Sequence, residues 1–309
     1  MRFNPPSEKD AWHAIGPLEG LSEDLRRAFL PNGDFEPIPL PGPNDWLAVH
    51  DEPGQTFLDF VRSRPNRPDA LRNTIYLQPL DYLHSSSAPP IDRLVQFTEA
   101  FFAMNANLLP ELATSSRRIT RRINPYTHHE QLLTRDILRL LVEHLPEDAF
   151  CVVAMTMRDL YPGPAWNFAF GEASLRDRVG VYSFARYDPA FYGIDSSDRD
   201  HVLLRRSCKV LAHETSHMFG IHHCIYFKCL MNGSNHLEES DRRPMHLCPV
   251  DLRKLHYSIG FDITERYQKL LDFARAVHFD DEAQWLSRRL SRIEAPLPTR
   301  TNRREEHAR

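Results

Sequence analysis

Residues 213–223 read His-Glu-Thr-Ser-His-Met-Phe-Gly-Ile-His-His, which is the pattern H-E-x-x-H-x-x-G-x-x-H. His213 and His217 are four residues apart, so in a helix both side chains project from one face and can bind one metal ion. Gly220 can take a left-handed conformation that ends the helix and turns the chain back, bringing His223 round as a third ligand. Three protein ligands and an open position for water are typical of a catalytic rather than a structural zinc. The stretch therefore predicts a long helix that carries a catalytic metal site.

Glu214 follows the first histidine by one residue and projects away from the ligand face. From there its carboxylate can meet a water held by the metal, which is the position of a general base. The alternative is a run of surface histidines on a solvated helix. Ordinary residue frequencies give the five fixed positions by chance only about once in 10,000 chains of this length. The longer motif is also far more specific than a bare H-E-x-x-H.

Cysteines follow the histidines at regular spacing. Cys224 is adjacent to His223, Cys229 stands two residues before Met231, and Cys248 begins the sequence Cys-Pro-Val-Asp251. The histidine motif with a nearby methionine resembles the metzincin metallopeptidases. The cysteines make the chain similar to the archaemetzincin family, whose signature is H-E-x-x-H-x-x-G-x-x-H-C-x-x-x-x-C-x-M followed by C-x-x-C. The resemblance covers roughly residues 70 to 275.

This resemblance implies a zinc metallopeptidase that hydrolyses short peptides or exposed termini with zinc-activated water. It implies one catalytic zinc on His213, His217 and His223, with Glu214 as general base and Met231 in the turn beneath the metal. It also implies a second, structural zinc, for which Cys224, Cys229 and Cys248 are the first three ligands. Metzincins often place a tyrosine after the methionine turn, but Asn232 and Gly233 occupy that place here, so no such role is assigned.

One position departs from the family pattern, because Asp251 stands where the fourth cysteine is expected. A carboxylate can bind zinc at about 2.0–2.2 Å, and aspartate keeps the negative charge, so a Cys₃Asp site is chemically reasonable. A harder oxygen ligand should nevertheless lower the affinity for zinc. His246 or a water is an alternative fourth ligand, and a weak or empty site is another.

Composition limits the classes of partner. The formal net charge is −4, from 38 basic and 42 acidic residues, and no basic stripe adjoins the cysteines. This excludes a zinc-finger-like nucleic-acid module. A metal-stabilised interaction protein with little or no protease activity is the remaining alternative, although it would have no chemical need for Glu214. The five cysteines indicate metal binding in a reducing compartment. With no apolar run typical of a signal peptide or membrane span, we expect a cytoplasmic monomer whose partner is a peptide or protein substrate, without nucleic acid or membrane.

The chain divides into three parts by composition. Residues 1–70 are proline-rich and predict an extended, partly ordered leader with short helices near 21–29 and 55–63. Residues 71–295 predict the metallopeptidase domain, whose C-terminal lobe begins at about 221, and residues 296–309 predict a flexible tail. The fold class expected is α/β (α+β metzincin-like), with a mixed sheet, packed helices, a long catalytic helix over 199–219 and a small, mostly helical C-terminal lobe.

Hydrophobic periodicity gives the expected elements. Strands are predicted near 74–78, 149–156, 166–171 and 179–186, and helices near 91–104, 129–145, 249–258, 262–278 and 280–292. Phe150–Met155 is apolar on both faces and suits a central strand. Because metzincins bind extended peptides along an edge strand, residues 179–187 are a candidate for that role, although an ordinary core strand is the favoured interpretation.

Overall fold

The computed structural model describes residues 3–82, 87–115 and 118–295. The predicted tail, residues 296–309, lies outside the described residues. The helices are α1 (Glu8–Ile15), α2 (Glu23–Phe29), α3 (Trp46–Val49), α4 (Phe57–Arg62), α5 (Ile91–Phe102), α6 (Thr134–Glu143), α7 (Arg199–Met218), α8 (Leu237–Arg242), α9 (Pro249–Ile259), α10 (Ile263–Ala276) and α11 (Asp280–Glu294). The strands are β1 (Thr74–Pro79), β2 (Asn105–Leu108), β3 (Arg121–Ile123), β4 (Glu130–Leu133), β5 (Ala149–Thr156), β6 (Asp159–Tyr161), β7 (Gly171–Ser174) and β8 (Val179–Ser183).

A five-stranded mixed sheet in the order β2-β1-β5-β8-β7 forms the centre of the protein. The first four strands are parallel, and β7 pairs antiparallel with β8 at the edge. All eight residues of β5 are buried, which confirms the prediction of a central strand. A second, three-stranded sheet has the order β3-β4-β6. The mixed α/β class predicted from the sequence is therefore confirmed.

The two faces of β5 contribute to different hydrophobic clusters, because successive side chains of a strand point to opposite sides. Cys151, Val153 and Met155 belong to the large cluster that also contains side chains of α5 and α7. Val152 and Ala154 belong to the smaller cluster with side chains of α6. The sheet is thus a central layer with helices on both faces.

Helix α7, which the sequence predicted as the catalytic helix, covers 20 residues and ends one residue before the predicted limit. Phe219 is fully buried and stacks on Phe150, with ring centroids 4.2 Å apart. Gly220 follows with φ +81°, the left-handed conformation expected from the sequence. Its N–H donates to the carbonyl of His217 at 2.8 Å. The turn that redirects the chain after α7 is therefore held from both sides, by aromatic packing and by a backbone hydrogen bond.

The first 70 residues contain four helices among the described residues, where the sequence predicted two. Ile15, Phe29 and Phe60 are at most 1% exposed and belong to the same cluster as side chains of α7. These side chains therefore share a hydrophobic core with the rest of the described chain, and the boundary at residue 70 stays a prediction. Proline-rich composition indicates short elements, but it does not indicate whether they pack.

Two local predictions differ from the structure. The helix predicted from residue 129 begins only at Thr134, because residues 130–133 form β4. The strand predicted at 166–171 lies at Gly171–Ser174 instead. Residues 179–187 contain β8, which has β5 on one side and β7 on the other, so the favoured interpretation of an ordinary core strand is confirmed and the candidate role as a peptide-binding edge is wrong. The edges of this sheet are β2 and β7. Short apolar runs do not encode strand order.

The C-terminal region is helical, as predicted, and packs against the sheet layer through α5. The Phe97 and Phe273 rings lie 5.3 Å apart, and the Arg266 Nε donates to the carbonyl of Phe101 at 2.6 Å. Among the described residues, no helix combines the length and apolar character needed to span a bilayer.

Candidate metal centre

Three imidazoles converge at the C-terminal end of α7. His213 and His217 come from successive turns of the helix, and His223 comes from the returning chain. One nitrogen of each lies within 4.8 Å of the others. The Nε2 atoms of His213 and His217 are 3.2 Å apart. Two nitrogens that each bind zinc at 2.0–2.1 Å with tetrahedral angles would be about 3.3 Å apart. The donor set therefore fits a zinc ion.

The second nitrogen of each imidazole has an acceptor outside the cluster. His213 Nδ1 lies 2.8 Å from the carbonyl of Leu230, and His217 Nδ1 lies 2.6 Å from that of Ile221. His223 Nδ1 lies 2.9 Å from Glu52 Oε1. An acceptor at Nδ1 places the proton there and leaves the Nε2 lone pair free for a metal. In each ring the acceptor at Nδ1 favours the tautomer that a zinc site needs.

Burial keeps two of these rings neutral. It lowers the pKa of His217 to about 3, helped by the nearby His223. Burial, followed by the charge of Arg243, lowers the pKa of His213 well below its usual value. Arg243 Nη1 lies 3.1 Å from His213 Nδ1 while donating to the carbonyl of Asn232 at 2.7 Å. Because metal ligation requires unprotonated imidazole, these shifts favour binding near neutral pH.

Glu214 is partly exposed and lies beside the imidazole cluster. Burial raises the pKa of its carboxyl group, although the nearby His223 and Arg243 act in the opposite direction. Within the described part of the chain, no hydrogen bond holds its carboxylate.

The N-terminal strap, defined here as residues 45–55, contacts the centre from outside the motif. Trp46 Nε1 donates to Glu52 Oε1 at 2.8 Å, and its ring meets the His223 ring edge-on at 5.0 Å. Gln55 accepts from the N–H of His222 at 3.2 Å and donates to the carbonyl of Gly220 at 3.1 Å. These contacts were not predicted, because the contacting residues are at least 165 positions apart and the strap shares no pattern with the motif.

The four cysteine-motif residues form a second cluster that is entirely buried. Cys224 Sγ and Cys248 Sγ are 3.6 Å apart, and Asp251 Oδ2 lies 3.2 Å from Cys229 Sγ and 3.5 Å from Cys248 Sγ. Tetrahedral zinc with ordinary bond lengths would give about 3.8 Å between sulfurs and about 3.6 Å between sulfur and oxygen. The cluster therefore fits a zinc ion nearly as well as the histidines do.

Asp251, and not His246, completes this cluster. Its other oxygen, Oδ1, accepts from Lys254 Nζ at 2.8 Å, and both side chains are at most 1% exposed. His246 points elsewhere: its ring stacks on Trp285 at 3.5 Å, and its Nδ1 lies 3.1 Å from Glu282. Burial and the neighbouring Cys224 charge raise the pKa of Asp251 to about 6, while Lys254 opposes them. The structure thus places a buried cation next to the cluster of three cysteines and Asp251.

The methionine turn connects the two clusters. Met231 is fully buried, and its carbonyl accepts from the N–H of Cys224 at 2.8 Å. Asn232 accepts from the N–H of Cys229 and donates to the carbonyls of Cys224 and Phe227, at 2.8–2.9 Å. Asn232, to which the sequence assigned no role, therefore organises the loop between the first two cysteines. The two clusters are therefore connected through one hydrogen-bonded loop.

A third group with metal-ligand chemistry contains Asp45, His236 and Glu239. Its oxygens are already engaged, since Asp45 accepts from Arg242 at 2.7 Å and Glu239 accepts from the N–H of Trp46 at 2.8 Å. This group connects the N-terminal strap to α8.

A mixed α/β fold in which one helix carries a carboxylate and two of three converging imidazoles, the third coming from the chain after it, is that of a zinc-dependent metallopeptidase. The family model described as Peptidase family M54 matches residues 128–257. Archaemetzincin-2 of Homo sapiens is 42% identical over 289 residues, which cover 84% of this chain and 79% of that protein. Archaemetzincin-1 of Mus musculus is 35% identical over 294 residues, covering 85% of this chain and 58% of that protein. The chain belongs to the archaemetzincin family.

One solved relative is the archaemetzincin of Methanopyrus kandleri, which is 25% identical, with a TM-score of 0.47, and is matched over 62% of this chain and 97% of its own. A second, the zinc-dependent peptidase of Methanocorpusculum labreanum, is 22% identical with a TM-score of 0.47, over 59% of this chain and 99% of its own.

Proposed function

We propose that this chain hydrolyses peptide bonds at a zinc ion held by His213, His217 and His223, with Glu214 as the general base. The convergence of one nitrogen from each of three imidazoles, with the Nε2 atoms of His213 and His217 3.2 Å apart, is the observation that carries this proposal. Zinc held there supplies a Lewis acid that polarises a carbonyl and acidifies a water.

Glu214 performs the proton transfers. Its carboxylate takes a proton from the attacking water and gives it to the leaving amine, so one residue acts first as base and then as acid. A pKa raised by burial suits this double role, because a carboxyl group that holds its proton more tightly accepts it more readily near neutral pH. The lack of a competing hydrogen bond among the described residues supports the same assignment.

Met231 lies beneath the histidines as the metzincin-type methionine turn. Its buried, unbranched and polarizable side chain is suited to filling an irregular space. The hydrogen bond from Cys224 to the Met231 carbonyl supports a role in holding the shape of the centre.

Cys224, Cys229, Cys248 and Asp251 hold a second, structural zinc. Complete burial and interatomic distances close to tetrahedral values support this assignment. Three thiolates and one carboxylate would give a zinc site a net charge of −2, and the Lys254 ammonium offsets half of it. A buried, unbalanced charge is costly, so Lys254 supports a metal-bound cluster.

The substrate is a short peptide or an exposed terminus that extends beside β7. This strand is at the edge of the sheet, so its outer backbone groups are available for strand addition. Asn66 Nδ2 donates to the carbonyls of Leu175 and Met218, both at 3.2 Å, and so holds the end of β7 near the end of α7. The N-terminal strap borders the centre on its His223 side, which favours narrow substrates over folded surfaces.

We also propose that the protein is a cytoplasmic monomer that acts without nucleic acid or membrane. All five cysteines are buried as thiols and none is in a disulfide, and a reducing compartment keeps thiols available for metal.

The decisive experiment compares Glu214→Gln with the parent chain. The substitution is isosteric and removes only the base, so zinc content should be unchanged while peptide hydrolysis falls by at least ~10²-fold. Glu99→Gln, an exposed site on α5, makes the same charge change and should leave the rate unchanged. Unaltered turnover in a zinc-loaded Glu214→Gln protein would exclude the mechanism. Activity lost together with zinc would indicate a structural effect instead.

A further inference from the structure

His223 differs from the other two imidazoles in the partner of its Nδ1. His213 and His217 donate to neutral backbone carbonyls, whereas His223 donates to the carboxylate of Glu52. Hydrogen bonds to an ionised acceptor are roughly twice as strong as neutral ones. A carboxylate at Nδ1 also increases electron density at Nε2, the atom that faces the proposed metal.

Glu52 is held in place by its own contacts. Trp46 Nε1 donates to the same oxygen, Oε1, at 2.8 Å. The side chain of Glu52 is 21% exposed, so its pair with His223 is partly protected from solvent competition.

Other contacts of the N-terminal strap hold Glu52 in this position. Gly233 has no side chain where Trp46 packs: a Cβ there would be 2.4 Å from Trp46 Cδ1. Gln55 binds both sides of the turn that carries His223, at Gly220 and His222. His50 stacks on the Trp46 ring at 3.8 Å and contacts Asn235 at 3.2 Å. The strap thus contacts the catalytic turn and the loop after Met231 together.

We propose that Glu52 is a positioning residue for the peptidase centre: it fixes His223 with Nε2 toward the metal and strengthens that nitrogen as a ligand. This inference rests on the proposed function in assuming that His223 binds zinc. Glu52 does not belong to the group of three histidines, and its carboxylate engages His223 Nδ1 at 2.9 Å, so we assign it no place among the ligands. The metal affinity of the motif then depends on a segment about 170 residues away in sequence.

The test measures zinc affinity directly, using zinc in competition with a chromophoric chelator on the full chain. Loss of a hydrogen-bond partner of this kind typically weakens metal affinity 10–100-fold. We expect the dissociation constant of the more labile zinc to rise by that factor in Glu52→Ala. In Glu52→Gln, which keeps an acceptor oxygen without the charge, the rise should be smaller. The tightly held zinc should be unaffected in both variants.

Asp51→Asn is the matched control, since Asp51 is exposed and one residue away. It removes the same charge and should leave the affinity unchanged. Trp46→Phe keeps the aromatic ring but removes the donor to Glu52, and should weaken binding in the same direction. Cobalt substitution adds a spectroscopic readout, because the visible absorption of a bound Co²⁺ ion should change in Glu52→Ala and not in Asp51→Asn.

A dissociation constant within twofold of the parent value in both Glu52 variants would overturn the inference. An equal loss of affinity in Asp51→Asn would also overturn it, since the effect would then be one of general charge. If Glu52→Ala unfolds, the isosteric Glu52→Gln decides alone. A parent chain that binds zinc at the histidines but cleaves no peptide would refute the proposed function, while the affinity measurement would still test Glu52.

Discussion

Replacing Asp251 by alanine should destabilise the protein by two separable effects. The substitution removes the fourth group of the cysteine cluster, and it removes the carboxylate that binds Lys254 Nζ at 2.8 Å. Both side chains of the pair are at most 1% exposed, and no other hydrogen bond joins the Lys254 ammonium within the described residues. Removing one partner of a buried ion pair costs about 3–5 kcal/mol. In a chain of this size that corresponds to a decrease in Tm on the order of 10 °C.

Loss of the second zinc adds to this cost, because a metal that binds only the folded state stabilises it by mass action. Urea unfolding followed by circular dichroism, together with metal content by mass spectrometry, measures both effects. The double variant Asp251→Ala/Lys254→Met should recover part of the stability, since it removes the unpaired cation, but it should not recover the zinc. Asp251→Cys should bind the second zinc more tightly than the parent, with a smaller gain in stability because Lys254 loses its carboxylate.

Two results would refute this reasoning. A free energy of unfolding for Asp251→Ala within 1 kcal/mol of the parent value would show that the pair is not the buried interaction described above. One zinc per chain in the parent, with unchanged activity in Asp251→Ala, would show that the cysteine cluster holds no metal.

Three further predictions concern the catalytic histidines, the N-terminal strap and a buried lysine. His217→Ala should lose the labile zinc and retain the tightly held one, so full retention of both in metal analysis would contradict the ligand assignment. Gly233→Ala should lower the free energy of unfolding in urea by about 1–3 kcal/mol and weaken zinc binding, because its Cβ would overlap Trp46. Gly163→Ala is the control: a Cβ at that position meets no atom within 4 Å, so neither quantity should change. Burial lowers the pKa of Lys209 from 10.5 to about 7. Between these two pH values the unfolded chain binds one more proton than the folded chain, so the free energy of unfolding should rise as pH increases from about 7 to about 10. Lys209→Met should flatten that rise, and an unchanged pH profile of the unfolding free energy would show that Lys209 is not the group responsible.

Local geometry explains what the sequence predicted well. The spacing of His213 and His217, and the position of Gly220, depend only on the helical period and on backbone conformation. Both follow from a few neighbouring residues, so the end of α7 was predicted to within one residue. The hydrophobicity of β5 indicated a strand buried on both faces for the same reason, because burial of a continuous apolar run requires partners on each side.

Strand order and long-range contacts were decided only by the tertiary structure. Nothing in residues 171–174 indicates that β7, and not β8, forms the edge of the sheet, because edge status depends on which strands pair. Glu52 could not be connected with His223 from sequence, since they are 171 positions apart and their contact depends on how the chain between them folds. The cysteine spacing predicted a second metal site, but only the fold shows that Lys254 lies beside Asp251 without access to water. Sequence periodicity indicates the secondary structure and the buried face of each segment. The partners of a charged side chain depend instead on packing among segments that are distant in the chain.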